Sequence, residues 1–105
     1  WTVNEEIAFA VDYYSDGKLL NLNENVNNNL INDLVLNIIP LKTKTIKIDY
    51  INNKDEKIKI YSRLTLEKGK TFISKKLMVS DSIWIDKILI YENDNLILEQ
   101  NILTK

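Results

Sequence analysis

The chain has no cysteine and no histidine among its 105 residues, and only two glycines, one proline and one arginine. Each absence removes a chemistry. Without thiolate or imidazole there is no Cys nucleophile, no Ser-His-Asp triad, no Cys/His zinc site and no disulfide framework. With only Gly17 and Gly69, a glycine-rich cradle for phosphates cannot be assembled, and neither a Gly-x-Ser-x-Gly elbow nor a Walker loop occurs. No apolar run approaches the ~18 residues of a membrane-spanning helix. Basic excess is missing too: the net charge is -1, so the chain as a whole lacks the profile of a dedicated nucleic-acid binder.

What is present is a strong residue bias: sixteen Ile, fourteen Leu, fourteen Asn and thirteen Lys. These residues use A/T-rich codons, so an A/T-rich genome is expected and much of the Asn content carries no functional signal. Hydrophobic residues make up 45% of the chain, enough for one core and one domain over 1–105. Trp1 opens the sequence where Met would open a complete one, which points to a domain processed or excised from a longer chain.

From Thr45 onward apolar and polar residues alternate with period two, the pattern of antiparallel strands with one buried face. Ile46, Ile48 and Tyr50 form the first such stripe, and Ile58, Ile60, Leu64 and Leu66 the second. Further runs cover Thr71 to Val79, Ile83 to Tyr91 and Leu96 to Leu103, separated by short polar turns. No gap is long enough for a crossover helix, so the half reads as a meander. Glu67-Lys68-Gly69-Lys70 reads as a hairpin turn in which Gly69 supplies a positive φ.

The first 40 residues admit two interpretations. Glu6 to Tyr14 forms a strand stripe through Ile7, Phe9, Val11 and Tyr13, or a helical one through Ile7, Ala10, Val11 and Tyr14. Aromatic content and the hairpin signal Asp16-Gly17 favour the strand. Asn23 to Asn29 reads as a polar loop, and about Asp33 to Ile39 as a strand in which Pro40 demands an edge or a bulge. The expected fold is therefore all-β, an antiparallel two-sheet sandwich of immunoglobulin-like type with about seven or eight strands. The alternative is α+β, with one or two N-terminal helices on a five-stranded meander.

Candidate sites are few. Asp12, Asp49, Asp81 and Asp86 are the carboxylates considered for acid–base work, but no spacing pairs two of them on one face. Oxygen ligands for calcium could come from Asp16, Asn23, Glu24 or Asp81, yet no Asp-x-Asp-x-Asn-Gly loop occurs. No catalytic residue, metal site or cofactor is therefore assigned, and an enzyme is not expected. Binding residues are assigned instead. Lys57, Lys59, Tyr61 and Arg63 alternate on what reads as one outward strand face, with Lys47 across from them, the mix of cations and ring that single-stranded nucleic acid or an acidic glycan would use. Trp84 lies in a strand apolar on both faces and reads as core filling, or as a sugar platform if exposed.

The assigned binding set is Lys59, Tyr61, Arg63 and Trp84. The expected role is a non-catalytic structural or protein-interaction module of an extracytoplasmic protein. A carbohydrate-binding module comes second and a small OB-like binder of single strands third, which orders the partners as protein, then glycan, with nucleic acid last. Charge is unevenly spread: cations concentrate between Lys42 and Lys76, while Glu5, Glu6, Asp12 and Asp16 make the start acidic.

Overall fold

The computed structural model describes residues 1–20 and 31–102. Among the described residues the strands are, in chain order, β1 (Thr2–Val3), β2 (Ile7–Ser15), β3 (Lys18–Leu19), β4 (Asp33–Pro40), β5 (Lys44–Asn52), β6 (Lys57–Leu66), β7 (Phe72–Ile73), β8 (Leu77–Met78), β9 (Ile85–Glu92) and β10 (Asn95–Asn101). They form two antiparallel sheets packed face to face as a sandwich. One sheet has the order β1-β2-β4-β7, with β3 beside β2 and β8 beside β4; the other has the order β10-β9-β5-β6.

Local chemistry explains the strand ends. Asp16 and Gly17 both take positive φ, 49° and 81°, which matches a two-residue loop between the paired Ser15 and Lys18. Asn93 and Asp94 do the same between β9 and β10, with φ of 51° and 64°. The strand alternative for the N-terminal half prevails because β2 buries Ile7, Phe9 and Tyr13 with period two, and β4 buries Leu34, Leu36 and Ile38 likewise. Apolar faces of both sheets then share one core, with Ile46, Ile48, Ile88, Ile90 and Leu98 supplying the opposite wall.

Three expectations need correction. Pro40 implies an edge strand or a bulge, yet β4 is central; Pro40 is its last residue, where the ladder ends and a missing N–H costs little. Glu67 to Lys70 is not a hairpin turn. It carries the chain from β6 in one sheet to β7 in the other, and Gly69, at φ 78°, donates its N–H to Pro40 O at 2.9 Å. The run Thr71 to Val79 is broken into β7 and β8, so the second half crosses between sheets twice and is no simple meander.

The break between β7 and β8 is held by Ser74. Its N–H donates to Leu36 O, and its Oγ accepts from Leu36 N–H at 2.9 Å, so a side chain completes the ladder where the strand bulges. Lys75 N–H then donates to the Tyr61 hydroxyl at 2.9 Å, tying this edge to β6 of the facing sheet. At the opposite edge, Asn4 Nδ2 donates to Ile97 O at 2.9 Å and joins the start of β2 to β10. The polar stretch Asn23 to Asn29 lies outside the described residues.

Candidate functional site

On the outer face of the β10-β9-β5-β6 sheet, Lys47 and Tyr91 are register partners, and Asp49 lies opposite Leu89 on one side and Lys59 on the other. Lys47 Nζ and Lys57 Nζ each lie 4.7 Å from the Tyr91 ring centroid, and Lys57 also donates to the Tyr91 hydroxyl at 2.9 Å. Both ammonium groups approach Asp49 Oδ2, at 3.7 Å and 3.6 Å. That hydrogen bond to Tyr91, reinforced by Asp49, raises the Lys57 pKa above its ordinary value. Asp49 itself is buried although it sits on an outer face, and its Oδ1 has no hydrogen-bond partner among the described residues. The cations predicted to attract a polyanion are thus partly spent on an aromatic ring and a carboxylate of their own sheet.

The four assigned residues do not form one surface. Strand β6 contains two extra residues relative to β5: Ile46 faces Leu64, Ile48 faces Tyr61, and Asp49 faces Lys59. The first extra residue turns Tyr61 inward opposite Ile48, and the second returns Lys59 to the outer face opposite Asp49. Tyr61 consequently packs on the core, edge-on to Phe72 with ring centroids 5.5 Å apart, while Lys59 and Arg63 remain exposed. Trp84 precedes a second irregularity, where Ile51 faces Lys87 but Asn52 faces Ile85. It is half-buried outside the core cluster, its indole N–H donating to Asp86 Oδ1 at 3.1 Å. The side chain expected to fill the core therefore lies against a carboxylate, while the Trp84 main-chain N–H donates to Asn53 Oδ1 of the β5–β6 turn at 2.8 Å.

The acidic candidates stay apart. Asp12 accepts from Asn37 Nδ2 at 2.8 Å, Asp86 from Trp84, and Asp49 faces its lysines. Among the described residues no group of three or more acidic side chains gathers to hold a cation. Of the calcium candidates, Asn23 and Glu24 lie outside the described residues.

Sequence reasoning missed a buried lysine. Lys44 shares the core face with Ile46 and Ile48, its side chain 1% exposed, and its ammonium is hydrogen-bonded to Glu6 and lies 3.6 Å from Glu92 Oε2. Extending the alternation of Ile46 and Ile48 back by two positions would have placed it inward. The hydrogen bond from Lys44 holds Glu6 below its ordinary pKa of 4.5, against the opposing effect of desolvation. A carboxylate with a depressed folded-state pKa adds stability above its unfolded pKa and forfeits it as pH falls through the folded value. Glu6→Gln should therefore flatten the acid side of the stability profile: the urea midpoints of the two proteins should differ by a constant amount above the unfolded pKa and approach each other as pH falls from that value through the lower folded one.

A different opening is better shaped for recognition. Between β6 and β8, the two strands bordering one edge of the sandwich, lies a cleft of about 410 Å³ lined by Tyr50, Ile58, Ile60, Leu77 and Met78, together with Lys59, Lys75 and Lys76. Lys75 is held in place by Tyr61, its ammonium 5.6 Å from the ring centroid and its N–H bonded to the hydroxyl. By contrast, the opening beside Lys47 and Tyr91 holds about 160 Å³. Compared with protein-family models, curated proteins and solved structures, the chain matches none.

Proposed function

We propose that this domain is a non-catalytic, immunoglobulin-like protein-interaction module of an extracytoplasmic protein. The strand order supports the fold assignment. If β2, β4, β5 and β6 are taken as strands A, B, C and C′, β7–β8 as E, and β9 and β10 as F and G, the sheets become A-B-E and G-F-C-C′. Consecutive strands then change sheets where an immunoglobulin-like chain changes them. Placement outside the cytoplasm follows the frequent use of such modules in cell-surface chains.

The interaction role rests on one observation above the others: an apolar cleft with a lysine rim opens beside a strand edge that no other described strand covers. Edges of this kind pair with other chains unless they are blocked. The polar candidates elsewhere are engaged with each other, as the Lys47, Lys57, Tyr91 and Asp49 group illustrates.

A photo-cross-linking amino acid placed at Ile58 or Lys76 in the native host tests this function, with Leu41, exposed between β4 and β5, as control. Adducts with a protein from the two cleft positions and not from Leu41 are expected. Adducts equal at all three positions, or none from the cleft, would contradict the role.

A further inference from the structure

The β7–β8 edge leaves main-chain groups directed away from its sheet. In an antiparallel pair, alternate residues turn their N–H and C=O towards the neighbouring strand. Leu36 exchanges bonds with Ser74 on this side, and Val79 N–H donates to Asn32 O at 2.8 Å. The even-numbered residues of β4 therefore face β7 and β8. Leu77 lies opposite Leu34 and Phe72 opposite Ile38. It follows that Ile73 and Met78, opposite Asn37 and Asp33, direct their main-chain groups outward. Their side chains are 64% and 83% exposed.

Beside this edge, Leu77, Ile58, Ile60 and Tyr50 line the cleft between the sheets. Its lining includes three lysines and no carboxylate. We propose that the cleft receives an extended, acidic segment of a partner protein, added as one further strand alongside β8. This rests on the interaction-module assignment and specifies what the module binds. An added strand places alternate side chains on opposite faces. Apolar residues at one parity would enter between the sheets against Leu77 and Ile58, and acidic residues at the other would lie outside, near Lys75 and Lys76 of the same edge. Main-chain bonds to Met78 supply affinity, and the alternating pockets and rim charges supply selectivity. In the immunoglobulin-like assignment, the new strand occupies the place next to E that strand D fills in constant-type domains.

The test is titration of the intact chain with fluorescein-labelled peptides of roughly eight residues, a common strand length. One alternates Glu with Val, a second alternates Lys with Val, and anisotropy reports binding. The acidic peptide should bind and the basic one should not. Lys75→Glu combined with Lys76→Glu should weaken binding roughly tenfold or more, because reversal replaces attraction with like-charge repulsion. Met78→Pro should abolish it by removing the outward N–H, with an unchanged urea midpoint confirming the fold. Lys47→Glu, on the outer face of the other sheet, should leave it unchanged.

Equal binding of both peptides, or equal weakening by Lys47→Glu, would overturn the proposal. So would a concentration-dependent dimer in sedimentation that both lysine reversals dissociate, since a second copy would then be the occupant. Cleft cross-links without acidic-peptide binding would overturn the occupant and leave the interaction role standing. Absence of both would overturn both.

Discussion

Phe9→Ala is expected to remove about 3–5 kcal/mol of folding stability, the usual loss for truncating a fully buried aromatic. Phe9 is 1% exposed in the middle of β2 and packs into the cluster that both sheets share. Its strand is paired over eight positions with β4, from Ile7 opposite Pro40 to Tyr14 opposite Asp33. The surrounding wall is therefore held by two ladders and cannot collapse into the space vacated. Since a domain of this size has total stability of only ~5–15 kcal/mol, the variant should lie close to the unfolding threshold. Urea unfolding checks this through a lowered midpoint at nearly constant m-value. Met78→Ala serves as the contrast: at 83% exposure the side chain should contribute within about 0.5 kcal/mol.

Asn52→Ala should cost about 2 kcal/mol, more than any exposed polar substitution on the same hairpin. Asn52 is 1% exposed. Its Oδ1 accepts from the N–H groups of Lys54 and Glu56 at 2.9 Å and 3.0 Å, and its Nδ2 donates to Glu56 Oε1 at 3.1 Å. Alanine leaves those turn donors without their acceptor, and only water reaching the loop can compensate. The neighbouring Asn53 bonds the main chain of Trp84 in both directions, so loosening the turn also releases the crossing from β8 to β9. A fall in urea midpoint together with a red-shifted component of tryptophan emission would confirm this coupling. A lower midpoint without any spectral change would place the effect in the hairpin alone.

Asn52 also shows why part of the molecule was illegible in the sequence. Compositional bias made asparagine look like background, yet Asn4, Asn32, Asn52 and Asn53 each accept main-chain N–H groups at strand ends. An amide can substitute for a missing strand neighbour, but its spacing carries no periodic mark. Period-two patterns, in contrast, survived where the strand was regular: Ile7, Phe9 and Tyr13 take the face expected of them. Prediction failed at bulges. The first of two extra residues in β6 turns Tyr61 to the core, and one irregularity in β9 separates Trp84 from it. A bulge leaves the local residue pattern intact and changes only which side is inward, so alternation alone assigned both rings to the wrong face.

The cleft was hidden for a related reason. Lys75 and Lys76 lie within the run Thr71 to Val79, which reads as one continuous strand, whereas Ser74 splits that strand and brings both lysines beside Ile58 and Lys59 of the opposite sheet. This juxtaposition depends on the chain changing sheets at residues 67–71, which no short-range pattern encodes. The basic segment noticed in the sequence thus divides into two surfaces. Lys47 and Lys57 are held by Tyr91 and Asp49, while Lys59, Lys75 and Lys76 border an opening.

Amide hydrogen exchange of Met78, measured with and without a saturating amount of the alternating Glu-Val peptide, tests most directly whether this edge receives a strand. Met78 N–H is directed outward and should exchange fast in the free chain, while Leu77, opposite Leu34, exchanges slowly. Addition of the peptide should slow Met78 to a rate near that of Leu77 and leave Leu89 on the other sheet unaffected. A Met78 amide that continues to exchange at its free rate while the peptide is bound would contradict strand addition at this edge.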